Sequence, residues 1–148
     1  MRRVVFPMLL VLLLLAACGG TALDLATVVP PNSKPIEATD NPKIDGVLSS
    51  WKSSVPQAFE DRGIKADSIK QNAYLTADSL DQVQTHYVNT LKDKDGWVAS
   101  TRTPGLDAAQ GVLIDGYDHG TSSLIVGAID AVKYGGQGVI VYTATGNK

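Results

Sequence analysis

Two strand-length stretches near the C-terminus are apolar on both of their faces, and this restricts the fold more than any other feature. Between Ser122 and Val132, Leu124, Val126 and Ala128 alternate with Ile125 and Ile129. Between Val139 and Thr145, Val139 and Val141 alternate with Ile140 and Tyr142. Side chains on a strand point alternately to opposite faces, so a segment apolar at both parities is buried on both. Tyr134-Gly135-Gly136-Gln137-Gly138 joins the two strands as a turn. Such a hairpin needs a helix on each face of its sheet, or a helix on one face and a partner on the other.

The sequence supplies two helices for that task. The first runs from about Lys43 to Arg62, opened by Asn41 as N-cap and Pro42 in the first turn. Val47, Leu48, Trp51, Val55 and Phe59 recur at helical spacing. Pro56 lacks an N–H and crowds the preceding turn, which predicts a kink or two short helices. Gly63 then Ile64 reads as a left-handed glycine stop with an apolar contact back to Phe59. The second helix, about 79–95, is opened by Asp78-Ser79, with Gln82 in capping-box register. Leu80, Val83, Tyr87 and Leu91 form one narrow stripe, and Gly96-Trp97 repeats the ending of the first helix.

Further strands are expected at Ser68 to Thr76, Trp97 to Thr103 and Gln110 to Tyr117, with a break at Pro104-Gly105 and a tight turn at Asp118-His119-Gly120. The order α-β-α-β-β-β-β predicts an α+β fold: a mostly antiparallel sheet of about five strands with two helices packed on it. The stretch from Asn72-Ala73-Tyr74-Leu75-Thr76 through Tyr87, Leu91 and Gly96-Trp97 resembles small exported bacterial domains of unassigned function. That resemblance implies the same fold and no particular activity. If both helices pack on one side, an apolar sheet face carrying Ile125 and Ile129, or Leu124 and Val126, is left to meet a protein partner or form a homodimer.

The N-terminus carries a different signal. Met1-Arg2-Arg3 is basic, Val4 to Leu15 is apolar apart from Pro7, and Ala16-Ala17 is small, the layout of a secretory signal peptide. The apolar run is shorter than the ~20 residues that cross a bilayer. Leu15-Ala16-Ala17-Cys18 resembles the lipobox of bacterial lipoproteins. In that family the cysteine receives a diacylglycerol and the chain is cut before it, which implies an acylated Cys18 and membrane attachment. Cys18 is also the only cysteine, so no intramolecular disulfide forms.

The expected organisation is a lipoprotein signal peptide over 1–17, a lipid anchor and flexible tether over 18–35, and one α+β domain over 36–148. Its seventeen tether residues reach ~20–25 Å as random coil. The expected location is extracytoplasmic, lipid-anchored to a bacterial membrane. Removing 17 of 148 residues leaves 131, with 11 Lys+Arg against 15 Asp+Glu and no basic run, which disfavours nucleic acid as a partner.

Candidate chemistry is sparse. Asp115, Asp118 and His119 cluster at an expected hairpin tip, where a carboxylate beside an imidazole suits general-base or metal chemistry, though Asp-His-Gly is also common turn material. His86 falls beside the apolar stripe of the second helix, as a surface residue. Two separated histidines and no free cysteine give no zinc pattern. Asp93-Lys94-Asp95-Gly96 resembles part of a calcium loop, but aligning Gly96 puts Leu91 and Arg102 where an EF-hand requires Asp and Glu. Gly135-Gly136-Gln137-Gly138 joins two strands, whereas a phosphate loop opens a helix. The sequence therefore predicts no metal and no cofactor. Its functional expectation is a membrane-anchored binding or accessory module of the cell envelope. The alternatives are a small hydrolase-like enzyme using Asp118 and His119, and a purely structural envelope lipoprotein.

Overall fold

The computed structural model describes residues 28–91 and 96–148. Its strands are β1 (Ser33–Pro35), β2 (Lys70–Thr76), β3 (Val98–Ala99), β4 (Gly105–Asp107), β5 (Val112–His119), β6 (Ser122–Asp130) and β7 (Val139–Asn147). The helices are α1 (Pro42–Glu60) and α2 (Leu80–Leu91), with short 3-10 turns at Ala66–Ser68 and Ala131–Tyr134. The strands make one sheet in the order β1-β2-β7-β6-β5-β3, with β4 also on β5, and every pairing is antiparallel. The fold is thus α+β, with seven strands where about five are expected from the sequence.

The helices take opposite faces of this sheet. Val83, Tyr87 and Leu91 of α2 pack with Leu113, Tyr117, Leu124, Val126, Ala128, Val139 and Val141. Ile44, Leu48, Val55 and Phe59 of α1 pack with Ile125, Ile129, Ile140, Tyr142 and Ala144. Along the chain, α1 links the neighbours β1 and β2, whereas α2 carries the chain from β2 to β3 at the far edge. Leu124, Val126 and Ile129 are 0% exposed and Ile125 is 7% exposed. The bare sheet face expected to meet a protein partner or second copy is therefore absent, because each parity of β6 and β7 has its own helix. Each such large side chain contributes roughly 1.5–3 kcal/mol when fully buried.

Local chemistry sets the helix ends. The Asn41 side chain accepts from the backbone N–H of Lys43 and Ile44. At the other end the Ile64 N–H donates to Phe59 O at 3.0 Å and the Gly63 N–H to Glu60 O at 2.8 Å, with Gly63 at φ 77°. This pair of hydrogen bonds, from a left-handed glycine and the residue after it, is the Schellman ending. In α2 the Ser79 N–H donates to Gln82 Oε1 at 2.8 Å and the Gln82 N–H to Ser79 Oγ at 3.3 Å, the reciprocal capping box.

Pro56 does not divide α1 into two helices. Val55 and Phe59 are buried on either side of it, and the carbonyl it deprives belongs to exposed Lys52, within reach of water. Trp51 of α1 lies against the bare backbone of Gly127 in β6, where a Cβ would approach Trp51 Cζ3 to 2.7 Å.

The edges depart from the sequence reading. Ser33–Pro35, assigned there to the tether, pair with Thr76 to Tyr74 of β2. Val28 is buried, and the Tyr87 hydroxyl donates to its carbonyl at 2.6 Å. Prolines suit such an edge, since an outward-facing position needs no ladder N–H. On the opposite edge the strand expected over Trp97 to Thr103 is reduced to Val98–Ala99, and Gly105, expected as a break, begins β4.

Candidate functional site

The β5–β6 hairpin positions the residues picked out from the sequence. His119 pairs with Ser122 and Asp118 with Ser123, so the turn is Gly120-Thr121 and both Asp118 and His119 belong to the strand. The pleat then decides what meets what. Leu113 and Tyr117 pack with α2, which places Asp115 and His119 on that same face and Asp118 on the α1 face. Asp115 and His119, four residues apart along one strand, are separated by ~13 Å of rise. The three residues do not converge, and none of them gives the imidazole a carboxylate to orient it.

Each has its own surroundings. The His119 ring stacks on Trp97 with centroids 5.3 Å apart and planes at 26°. Asp118 accepts a hydrogen bond from Ser123 Oγ at 2.5 Å. Asp115 is half-buried, and burial holds its carboxyl above the usual carboxylate range, with hydrogen bonds from Gln84 and Tyr117 pulling the other way. The Gln84 amide stands at 3.4 Å. His86 lies on α2 with its ring edge-on to Tyr87 at 5.1 Å. Its Nε2 is buried without a hydrogen-bond partner among the described residues, and burial lowers its pKa while Asp78 acts to raise it.

Among the described residues no group of three His, Cys, Asp or Glu could hold a metal ion. None of the helices there is long and apolar enough to cross a membrane. Cys18 and the Asp93-Lys94-Asp95 segment lie outside the described residues.

One cleft lined by convergent polar groups was missed by the sequence reading. A cleft of about 630 Å³ opens on the α1 face where the end of α1, the β5–β6 hairpin and the segment after β3 meet. It is lined by Arg62, Arg102 and Lys148, by Asp61 and Asp118, and by Ser100, Thr101 and Ser123. Its volume falls within the roughly 300–1,000 Å³ of small-molecule sites. Of the sequence candidates only Asp118 belongs to it. Arg62 and Arg102 lie forty positions apart, and no spacing rule connects them. The one available signal is compositional: they are the only arginines after Arg2 and Arg3. No family model, curated protein or solved structure matches the chain.

Proposed function

We propose that this protein is an extracytoplasmic lipoprotein, anchored in a bacterial membrane by acylated Cys18, whose folded domain serves as a binding module of the cell envelope. The observation that carries the anchor is Leu15-Ala16-Ala17-Cys18 directly after an apolar run with a basic start. A diacylglycerol supplies two chains at about 0.8 kcal/mol per buried methylene, sufficient for stable attachment without a spanning helix. Binding is favoured over hydrolysis because Asp118 and His119 project to opposite faces of β5, while the polar groups that do gather form a cleft.

The attachment also has a spatial consequence. Only residues 19–27 separate Cys18 from Val28, whose carbonyl is held by Tyr87. Ten Cα-to-Cα steps span at most ~36 Å even fully extended, so on this reading the domain works within that distance of the headgroups.

The test is to feed cells a fatty-acid probe and weigh the N-terminal peptide of the mature protein. Label and mass should place acyl chains on Cys18, and Cys18→Ala should abolish both labelling and processing. An unmodified thiol at residue 18, or cleavage at another bond, overturns the anchor.

A further inference from the structure

We propose that the cleft beside the β5–β6 hairpin binds a small phosphate monoester, held by Arg62 and Arg102. The proposal rests on the reading of the domain as a binding module and adds the chemical class of its ligand.

Placement is the first argument. The chain has a net charge of −2, yet both arginines outside the leader line one cleft, and Lys148 joins them. Arg62 arrives from the end of α1, and Arg102 from the loop after β3. Two unrelated segments therefore bring their only guanidinium groups to one place.

The second argument is what the nearby acids do. Asp61 accepts from the Gln57 amide at 3.2 Å, and Asp118 from Ser123 Oγ at 2.5 Å. Among the described residues neither arginine side chain has a hydrogen-bond or ion-pair partner, although both acids line the same cleft. No group among the described residues thus competes with an incoming acceptor for the guanidinium donors.

The chemistry of those donors selects the ligand. A guanidinium stays charged at every physiological pH and presents its N–H groups as a planar fork. One fork satisfies the two oxygens of a carboxylate. Two forks and an ammonium outnumber them, and match the three terminal oxygens and roughly −1.5 to −2 charge of a phosphate monoester. Ser100 and Thr101 add hydroxyl groups to the same lining, and Val98, 65% exposed, adds apolar surface for an organic moiety. With Asp61 and Asp118 against Arg62, Arg102 and Lys148, the charged side chains of the lining sum to only +1 (three minus two), which disfavours polyanions more than a ligand with one phosphate.

The experiment titrates glycerol 3-phosphate into the detergent-solubilised mature lipoprotein in phosphate-free, low-salt buffer, with glycerol and acetate as comparison probes. Saturable binding of glycerol 3-phosphate is expected, with acetate much weaker and glycerol inert. Arg62→Gln and Arg102→Gln should each weaken it about tenfold or more, with Tm unchanged. Lys43→Gln, at the opposite end of α1, should leave it unaltered. Lys148→Gln, at the last position of the sequence, provides a third cleft variant if either arginine change unfolds the domain. Absence of saturable binding, equal loss in Lys43→Gln, or acetate binding as tightly as the phosphate would each overturn the proposal. Weighing the N-terminal peptide of the same preparation separates this outcome from failure of the lipid anchor. Saturable binding of acetate alone would leave a binding module standing while removing phosphate as its ligand.

Discussion

Gly127 sits in the middle of β6, where a glycine ordinarily weakens a strand by roughly 0.5–1 kcal/mol relative to alanine. Its neighbour explains its presence. A Cβ at position 127 would lie 2.7 Å from Trp51 Cζ3, 2.9 Å from Cε3 and 3.0 Å from Cη2. Carbon atoms in good contact stand about 3.5–4.0 Å apart, so the indole would have to retreat by about 1 Å. The ring is rigid, and its centroid lies 5.8 Å from that of Tyr142, which belongs to the same α1-face core. Overpacking of this kind costs about 1–3 kcal/mol, and the better strand propensity of alanine offsets some 0.5–1 of it. Gly127→Ala should therefore destabilise the protein by about 1–2 kcal/mol, read from urea unfolding with an unchanged m-value. Trp51→Ala alone should cost less than the roughly 3–5 kcal/mol of a fully buried tryptophan, since Trp51 is only partly buried. In the Trp51→Ala background the glycine substitution should become neutral or stabilising. The cycle would then show a coupling of about 1 kcal/mol or more between the positions. If Gly127→Ala destabilises both backgrounds equally, the clash with Trp51 is not the reason for the glycine.

Two further outcomes follow from buried polar groups. Burial beside Tyr74 and Tyr117 keeps the Tyr87 phenol protonated and able to donate to the Val28 carbonyl. Tyr87→Phe orphans that carbonyl and should cost about 1–3 kcal/mol, with faster proteolysis near Val28; unchanged stability and unchanged protection would mean the latch contributes nothing. His86 has its pKa lowered from 6.5 by burial, so the unfolded chain takes up the proton first and stability falls as pH drops below 6.5 towards the folded-state value. The unfolding free energy of His86→Gln should be flatter over that window, and an identical slope in both proteins would assign the pH dependence to other groups.

Much of the fold was legible because its strongest signals are periodic. Val83, Tyr87 and Leu91 face the sheet as their spacing predicts, and the two parities of β6 and β7 enter different cores. Capping chemistry was equally readable, since Asn41, Gly63 and the Ser79–Gln82 pair act within a few residues of themselves. What escaped lacks a period. Ser33–Pro35 and Gly105–Asp107 are three residues each, too short to alternate, and β1 contains the proline that marks a tether in sequence. Pro56 failed as a breaker because Val55 and Phe59 are buried around it, and that packing is a tertiary property.

The candidate site turned on where the β5–β6 hairpin reverses. A turn centred on Asp118 and His119 would leave both side chains at a tip, free to point the same way. Moving the turn to Gly120-Thr121 puts both into β5, and the pleat then sends them to opposite faces. The imidazole goes to Trp97, and the carboxylate goes to Ser123 and the arginine-lined cleft. Adjacent residues in a sequence suggest shared chemistry, yet within a strand adjacency is what separates them. Arg62 and Arg102 show the converse, being remote in sequence and brought together only because α1 ends, and β3 gives way to its loop, on the same side of the sheet. The local pattern could locate a hairpin here, but only the register of β5 against β6 assigns its residues to a site.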